Sequence, residues 1–244
     1  SVSKKNKTIK FDDNGIGMTA EEVDKYINQV AFSGAEDFFN KYKDKMEESN
    51  DIIGHFGLGF YSAFMVSSNV EIDTLSYLEG AKPIRWQSAD GMQFEITEDG
   101  IRTERGTTII LTLAEDSEEF LDEYHLRSII KKYCSFLPVE IYVENTDKLE
   151  EEAKKKAEEA AKKAQEGADN ETSEEIKPVP LNDTNPLWLK SPKDCTDEEY
   201  IKFYQQVFNV FDEPLFWIHL NVDYPFNLKG ILYFPKLKNE FELV

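Results

Sequence analysis

Residues 7–23 read KTIKFDDNGIGMTAEEV, and this short stretch decides how the first half of the chain folds. Ile9 and Phe11 alternate with polar neighbours, the period of a strand with one buried face. Asn14-Gly15 stops that strand. Thr19 then stands three residues before Glu22, the spacing of a capping box, while Met18 and Val23 occupy the positions of a hydrophobic staple. Val23, Ile27 and Val30 fall on one side of the helix so begun, and Ser33-Gly34 ends it. The reading is a strand that runs through two glycines into a capped amphipathic helix.

Working outward, the pattern predicts a second helix over 35–48 and a third that leaves a glycine-rich segment and runs through Phe60–Val66. Strands are expected at Val70–Leu75, Ile84–Ser88, Met92–Thr97 and Thr107–Leu113. An amphipathic helix follows at Glu118–Phe136, then a strand at Val139–Val143. Helices precede a cluster of strands, so the fold class is α/β, a two-layer sandwich rather than a regularly alternating doubly wound sheet.

Near residue 147 the composition changes. Residues 147–177 carry 11 acidic and 7 basic side chains with no aromatic. Glutamates stand four residues before lysines, pairs worth roughly 0.2–0.5 kcal/mol each in an isolated helix. With no apolar stripe to bury, this segment reads as a solvated, partly helical linker. It divides a unit at 1–146 from a piece at 178–244. In that piece Thr196 and Glu199 form a second capping box before a helix at Asp197–Phe208, and strands are expected at Leu215–Val222 and Leu228–Phe234. This looks like the first layer of another α/β domain.

Across 244 residues, 28 basic and 48 acidic side chains leave a formal charge of −20. That excludes unaided binding to nucleic acid or an anionic membrane, which rests on clustered cations. Two distant cysteines form no disulfide framework or zinc pattern and suggest a reducing, cytoplasmic setting. The longest apolar run, Ile52–Val66, is too short for a bilayer and holds three glycines. The chain opens on Ser1 and ends just after an apolar stretch, so a fragment cut at both ends is expected.

Three segments can carry chemistry. In Asp13-Asn14-Gly15-Ile16-Gly17-Met18-Thr19 a carboxylate ends a strand, where it can accept from an exocyclic amine, and glycines let backbone approach a planar ring. A plain Asn-Gly turn reads equally well. A calcium loop does not, because Ile16 and Val23 stand where ligands belong. In Gly54-His55-Phe56-Gly57-Leu58-Gly59-Phe60, glycines open a helix whose N–H groups favour an anion, or else the segment is a closely packed loop. It is neither a P-loop nor a dinucleotide fingerprint. Thr107, in Arg105-Gly106-Thr107-Thr108, can donate to a ring nitrogen directly or through water, or is an ordinary β residue after a turn.

Taken in order, these segments resemble the superfamily of gyrase, chaperone, histidine-kinase and mismatch-repair ATPases. DNGIGMT at 13–19, AFSG at 31–34, IGHFGLGFYSAFMV at 53–66 and RGTTIILTL at 105–113, with the charged linker, resemble the ninety-kilodalton heat-shock chaperones and their bacterial branch in particular. NPLWLKSPKDCTDEEYIKFYQQVF and LKGILYFPKL resemble the start of that family's middle domain.

The resemblance implies ATP or ADP on an α/β sandwich, with Asp13 holding the adenine amino group and Gly17, Met18 and Thr107 lining the base. Gly57, Leu58, Gly59 and Phe60 would offer amides to the phosphates. Ser33 and Gly34 would belong to a mobile lid. It also implies client proteins, a homodimer and Mg²⁺ in the parent protein. The family's usual lysine is replaced by Phe32. The family's catalytic glutamate and Mg²⁺-holding asparagine lie upstream of this segment, so no catalytic or metal residue is assigned and the fragment is expected to hydrolyse little ATP. Two other readings compete. A histidine kinase would carry a phosphoacceptor helix before the nucleotide motifs. An ATP-independent scaffold would hold clients on exposed aromatics such as Phe216 and Trp217.

Overall fold

The computed structural model describes residues 1–29, 57–166, 178–222 and 228–236. The helix expected at 35–48, the residues Ser33 and Gly34, and the AFSG motif lie outside them. Two compact units are present, Ser1–Cys134 with Ile141–Leu181, and Ser135–Glu140 with Asn182–Val244.

In the first unit six strands form one antiparallel sheet: β1 (Val2–Ser3), β2 (Thr8–Asp13), β3 (Ser67–Leu75), β4 (Ile84–Ser88), β5 (Phe94–Thr97) and β6 (Gly106–Leu113), in the order β1-β2-β6-β3-β4-β5. Register makes the sheet readable as cross-strand rows, since directly opposed residues share a face. Ile9, Leu111, Val70 and Ser88 form one row; Phe11, Ile109, Ile72, Trp86 and Ile96 the next; Asp13, Thr107, Thr74 and Ile84 the last. All three rows lie on the same face because their members are two residues apart along each strand.

Helix α1 (Ala20–Tyr26) and the 3-10 helix Gly59–Met65 supply the second layer. Val23, Val70 and Ile72 are fully buried, and Met18, Ile27, Phe60 and Phe64 pack on the same cluster. Each such aliphatic contributes about 1.5–3 kcal/mol on burial. The Phe60 ring meets Trp86 edge-on at 5.7 Å, and the Trp86 indole N–H donates to Asn28 at 2.8 Å. The opposite sheet face is polar: Arg85 pairs with Glu71, and Gln87 donates to Glu95. One apolar face and one polar face are what a two-layer sandwich requires.

The capping box at Thr19 and Glu22 forms as expected. Other expectations need correction. Phe11 shares the face of Ile9 but is 53% exposed. The segment through Phe60–Val66 is 3-10 rather than α, short and tightened by i→i−3 bonds such as Tyr61 N–H to Leu58. The single helix expected at Glu118–Phe136 is a 3-10 turn, Glu115–Leu121, followed by α2 (Glu123–Tyr133). Asp122 is extended and its carboxylate accepts from His125 N–H at 2.9 Å, so its capping chemistry starts a new helix mid-segment. Val139–Val143 is not a strand. Its carbonyls are taken singly, Ile141 by Leu181 N–H and Val143 by Arg127.

Helix α3 (Thr146–Glu166) forms in the charged segment, and its first turn has a tertiary role that the charge pattern hides. Asp147 accepts from the Ser3 hydroxyl at 2.7 Å and from Lys4 and Lys5 N–H at 2.8 and 3.1 Å, tying helix to β1. No helix among the described residues is long and apolar enough to cross a membrane.

In the second unit α4 (Asp197–Phe208) starts at the expected Thr196 capping box and ends at Asn209 in the left-handed region, φ 52°. It packs on the hairpin of β7 (Pro214–Val222) and β8 (Leu228–Pro235). Tyr200 stacks on Trp217 at 5.0 Å and its hydroxyl donates to His219 Nδ1, whose Nε2–H donates to the Trp188 carbonyl. Burial pushes the Tyr200 phenol up to about 12. Trp217 is therefore a packing residue and not the exposed aromatic expected of a client-binding scaffold, whereas Phe216 is 45% exposed.

The Ser3 hydrogen bond first, and the Lys4 and Lys5 amides with it, hold the Asp147 carboxyl below the ordinary carboxylate range. A depressed value means stability that is present above the unfolded value, near 3.9, and lost as pH falls through the folded one. Asp147→Asn should lower the urea midpoint at neutral pH. The deficit should shrink as pH is taken from about 5 towards 2; a deficit independent of pH would contradict this.

Candidate functional site

The site is built where β2 hands the chain to α1. At the strand end the Gly15 N–H donates to Asp13 Oδ1 at 2.8 Å, turning the chain, and a Cβ on Gly15 would lie 2.7 Å from that oxygen. Two positions here admit only glycine. Gly17 has φ +63°, and a Cβ there would sit 1.9 Å from the Leu75 carbonyl oxygen. Gly106 has φ +131°, and its Cβ would meet the Asp13 carbonyl oxygen at 2.1 Å. The turn thus lies directly on the ends of β3 and β6, closer than any side chain permits.

Beneath it is Thr74, fully buried. The Met18 N–H donates to its hydroxyl at 3.0 Å, the hydroxyl reaches the Gly106 carbonyl at 3.1 Å, and the Thr107 hydroxyl lies 3.0 Å away. Thr107 is directly opposite both Asp13 on β2 and Thr74 on β3. The Ile16 carbonyl accepts from Tyr77 N–H at 2.8 Å. Asp13, Gly17, Met18 and Thr107 are therefore brought together, with the exposed Asp13 at the open end of the row.

Two arginines hold the outer side. The Arg102 side chain is only 15% exposed, and all five of its N–H groups have acceptors. Nη1 donates to the Asp12 carboxylate and the Thr108 hydroxyl, Nη2 to the Asp13 and Arg105 carbonyls, and Nε to the Glu104 carbonyl. Arg105 donates to the Gly15 carbonyl at 3.1 Å. Partial burial pushes the Asp12 carboxyl up, but the Arg102 and Thr108 hydrogen bonds outweigh it and leave it below its ordinary value. Asp73, buried on the polar face, accepts from Ile101 N–H at 2.8 Å and fixes the loop that carries Arg102.

Gly57, Leu58, Gly59 and Phe60 form the start of the 3-10 helix. Gly57 has φ +62°, Leu58 is 52% exposed and places no side-chain cap, and a Cβ on Gly59 would meet nothing within 4 Å among the described residues. The early N–H groups of such a segment have no intrahelical acceptor. Phe60 turns its ring inward onto Trp86, so only its backbone is available to a ligand. The Phe60 side chain packs on the core at the same sheet face that carries Asp13 and Thr107. Ser33 and Gly34 lie outside the described residues. Among those residues no group of three or more His, Cys, Asp or Glu side chains is placed to hold a metal.

Sequence reasoning missed Thr74 and Arg102. The signal for Thr74 is a hydroxyl at the position where the Val70, Ile72 alternation calls for a third apolar residue. Arg102 has no local signal, since its partners come from two strands and a loop.

Residues 1–92 match the family model described as histidine kinase-, DNA gyrase B- and HSP90-like ATPase, and residues 119–243 match the one described as Hsp90 protein. The chain is 51% identical over 242 residues to a chaperone protein HtpG of Bacteroides fragilis strain YCH46, covering 99% of this chain and 32% of that protein. It is 46% identical over 243 residues to a chaperone protein HtpG of Porphyromonas gingivalis strain W83, covering 100% and 32%. The HtpG of Idiomarina loihiensis is 39% identical over 239 residues, covering 97% and 35%. The chain thus spans about a third of the length of the curated relatives it matches.

Arg102→Lys tests the clamp, because three donors on one nitrogen cannot span five acceptors. Urea unfolding should report a loss of about 2 kcal/mol. A change within about 0.5 kcal/mol, the size of an ordinary surface substitution, would contradict the assignment.

Proposed function

We propose, because this chain belongs to the Hsp90 family, that its parent protein is an ATP-dependent molecular chaperone of the kind its relatives' name describes. In this reading 1–146 is the nucleotide-binding domain, 147–177 a charged linker and 178–244 the beginning of a middle domain. The match of 119–243 to the Hsp90 family favours this over a histidine kinase.

ATP or ADP lies against the end of the row formed by Asp13 and Thr107. Asp13 accepts from the exocyclic amine of adenine, while Gly17, Met18 and Thr107 line the base. The backbone N–H groups of Gly57, Leu58, Gly59 and Phe60 receive the phosphates, and Ser33 and Gly34 belong to a lid that closes over them. Mg²⁺ accompanies the nucleotide in the parent and neutralises phosphate charge; no described residue is assigned to it. The parent works as a cytoplasmic homodimer on client proteins, with neither nucleic acid nor membrane as partner, and the formal charge of −20 supports that last point.

One observation carries the reading. A carboxylate and a hydroxyl stand directly opposite each other at the end of a sheet row, beside backbone that only glycine lets come so close. That arrangement suits a flat ring with a donor on its edge.

Calorimetric titration with ADP tests it. The full-length protein should bind ADP. Asp13→Asn should weaken binding by at least about tenfold, the cost of removing a charge-assisted hydrogen bond, with the far-ultraviolet circular dichroism unchanged. Phosphate release by the 244-residue chain alone should stay at background, since no residue here is assigned to activate water. Failure of the full-length protein to bind ADP, or full affinity in Asp13→Asn, would overturn the proposal.

A further inference from the structure

We propose that Thr74 is a positioning residue that fixes the direction of the Thr107 hydroxyl, so that the Asp13–Thr107 end of the sheet row presents only hydrogen-bond acceptors to the base and selects rings bearing an N–H donor. This inference rests on the nucleotide reading and adds to it a residue that touches no ligand.

A threonine hydroxyl has one hydrogen to give and two lone pairs. The Gly106 carbonyl can only accept, so the 3.1 Å contact uses the single Thr74 proton. The Met18 N–H can only donate, so the 3.0 Å contact uses one Thr74 lone pair. The remaining lone pair faces Thr107 at 3.0 Å. All three contacts are satisfied in one way only, with Thr107 donating inward to Thr74. Thr74 has no water to turn to, being fully buried, and an unsatisfied hydroxyl there would cost about 1–3 kcal/mol.

Thr107 is thereby left with lone pairs alone for anything on its outer side. Its neighbour across the ladder is the Asp13 carboxylate, which also only accepts. The sequence allows Thr107 to donate to a ring nitrogen; the buried network has already spent that proton. A ligand at this row must bring the hydrogens, as an exocyclic amine does or as a water donating to both sides would. A ring that offers only acceptors faces lone pairs on both walls.

Dissociation constants of the full-length protein for ADP and for the diphosphate of purine riboside, which lacks the exocyclic amine, test the idea. Thr74→Val frees the Thr107 proton to point outward, so the preference for ADP should narrow about tenfold, while Thr74→Ser keeps it. Thr107→Val should weaken ADP and leave the purine riboside diphosphate unchanged, and this arm stands even if Thr74→Val does not fold. The proposal is overturned if Thr74→Val weakens both ligands equally or leaves their ratio intact, or if Thr107→Val weakens both. If the wild-type protein binds ADP and these ratios do not move, Thr74 alone is misassigned; if it binds no ADP, the nucleotide reading has failed and takes this inference with it.

Discussion

The hydroxyl of Thr74 carries three hydrogen bonds in a place that water does not reach, two to β6 and one to the segment that leads into α1. Through Met18 it holds the first residues before α1, through Gly106 the start of β6, and through Thr107 the side chain that faces Asp13. A hydroxyl at full capacity in a buried position leaves no alternative arrangement of comparable energy. The turn must therefore lie flat on the strand ends, and that closeness is what makes Gly17 and Gly106 obligatory. The candidate site follows from this constraint rather than from the loop sequence alone.

The two arginines complete the same structure from outside. Arg102 gathers acceptors from β2, from β6 and from the loop between β5 and β6, so the Asp13 backbone is fixed from above while Thr74 fixes its neighbours from below. The Asp13 carboxylate keeps one oxygen on the Gly15 N–H and stands at the open end of the row. A rigid backbone with an exposed acceptor is the form of preorganisation that binding sites reward, because little freedom is lost when the ligand arrives.

Much of this was legible in the sequence, and the exceptions have physical causes. The Thr19 and Thr196 capping boxes depend on neighbours three residues away, so local pattern suffices. Strands β3, β4 and β6 were legible from alternation or β-branched runs. The break at Asp122 was missed because a capping side chain inside an amphipathic run overrode the period on either side. The strand expected over 139–143 failed because apolar alternation gives a strand only where a partner edge is offered, and here single side chains and amides take the carbonyls. Asp13, Gly17 and Thr107 could be nominated from their motifs, whereas Thr74 and Arg102 act through contacts that only the register of the sheet creates. The placement of Ser33 and Gly34 lies outside the described residues.

Amide hydrogen exchange at Met18 tests the central constraint most directly, since that N–H has the buried Thr74 oxygen as its acceptor. The account predicts that Met18 exchanges as slowly as ladder amides of β3, and that Thr74→Val raises its rate towards that of an open turn while the β3 amides stay protected. Exchange of the wild-type Met18 amide at the rate of an unbonded loop, or a rate unmoved by Thr74→Val, would contradict it.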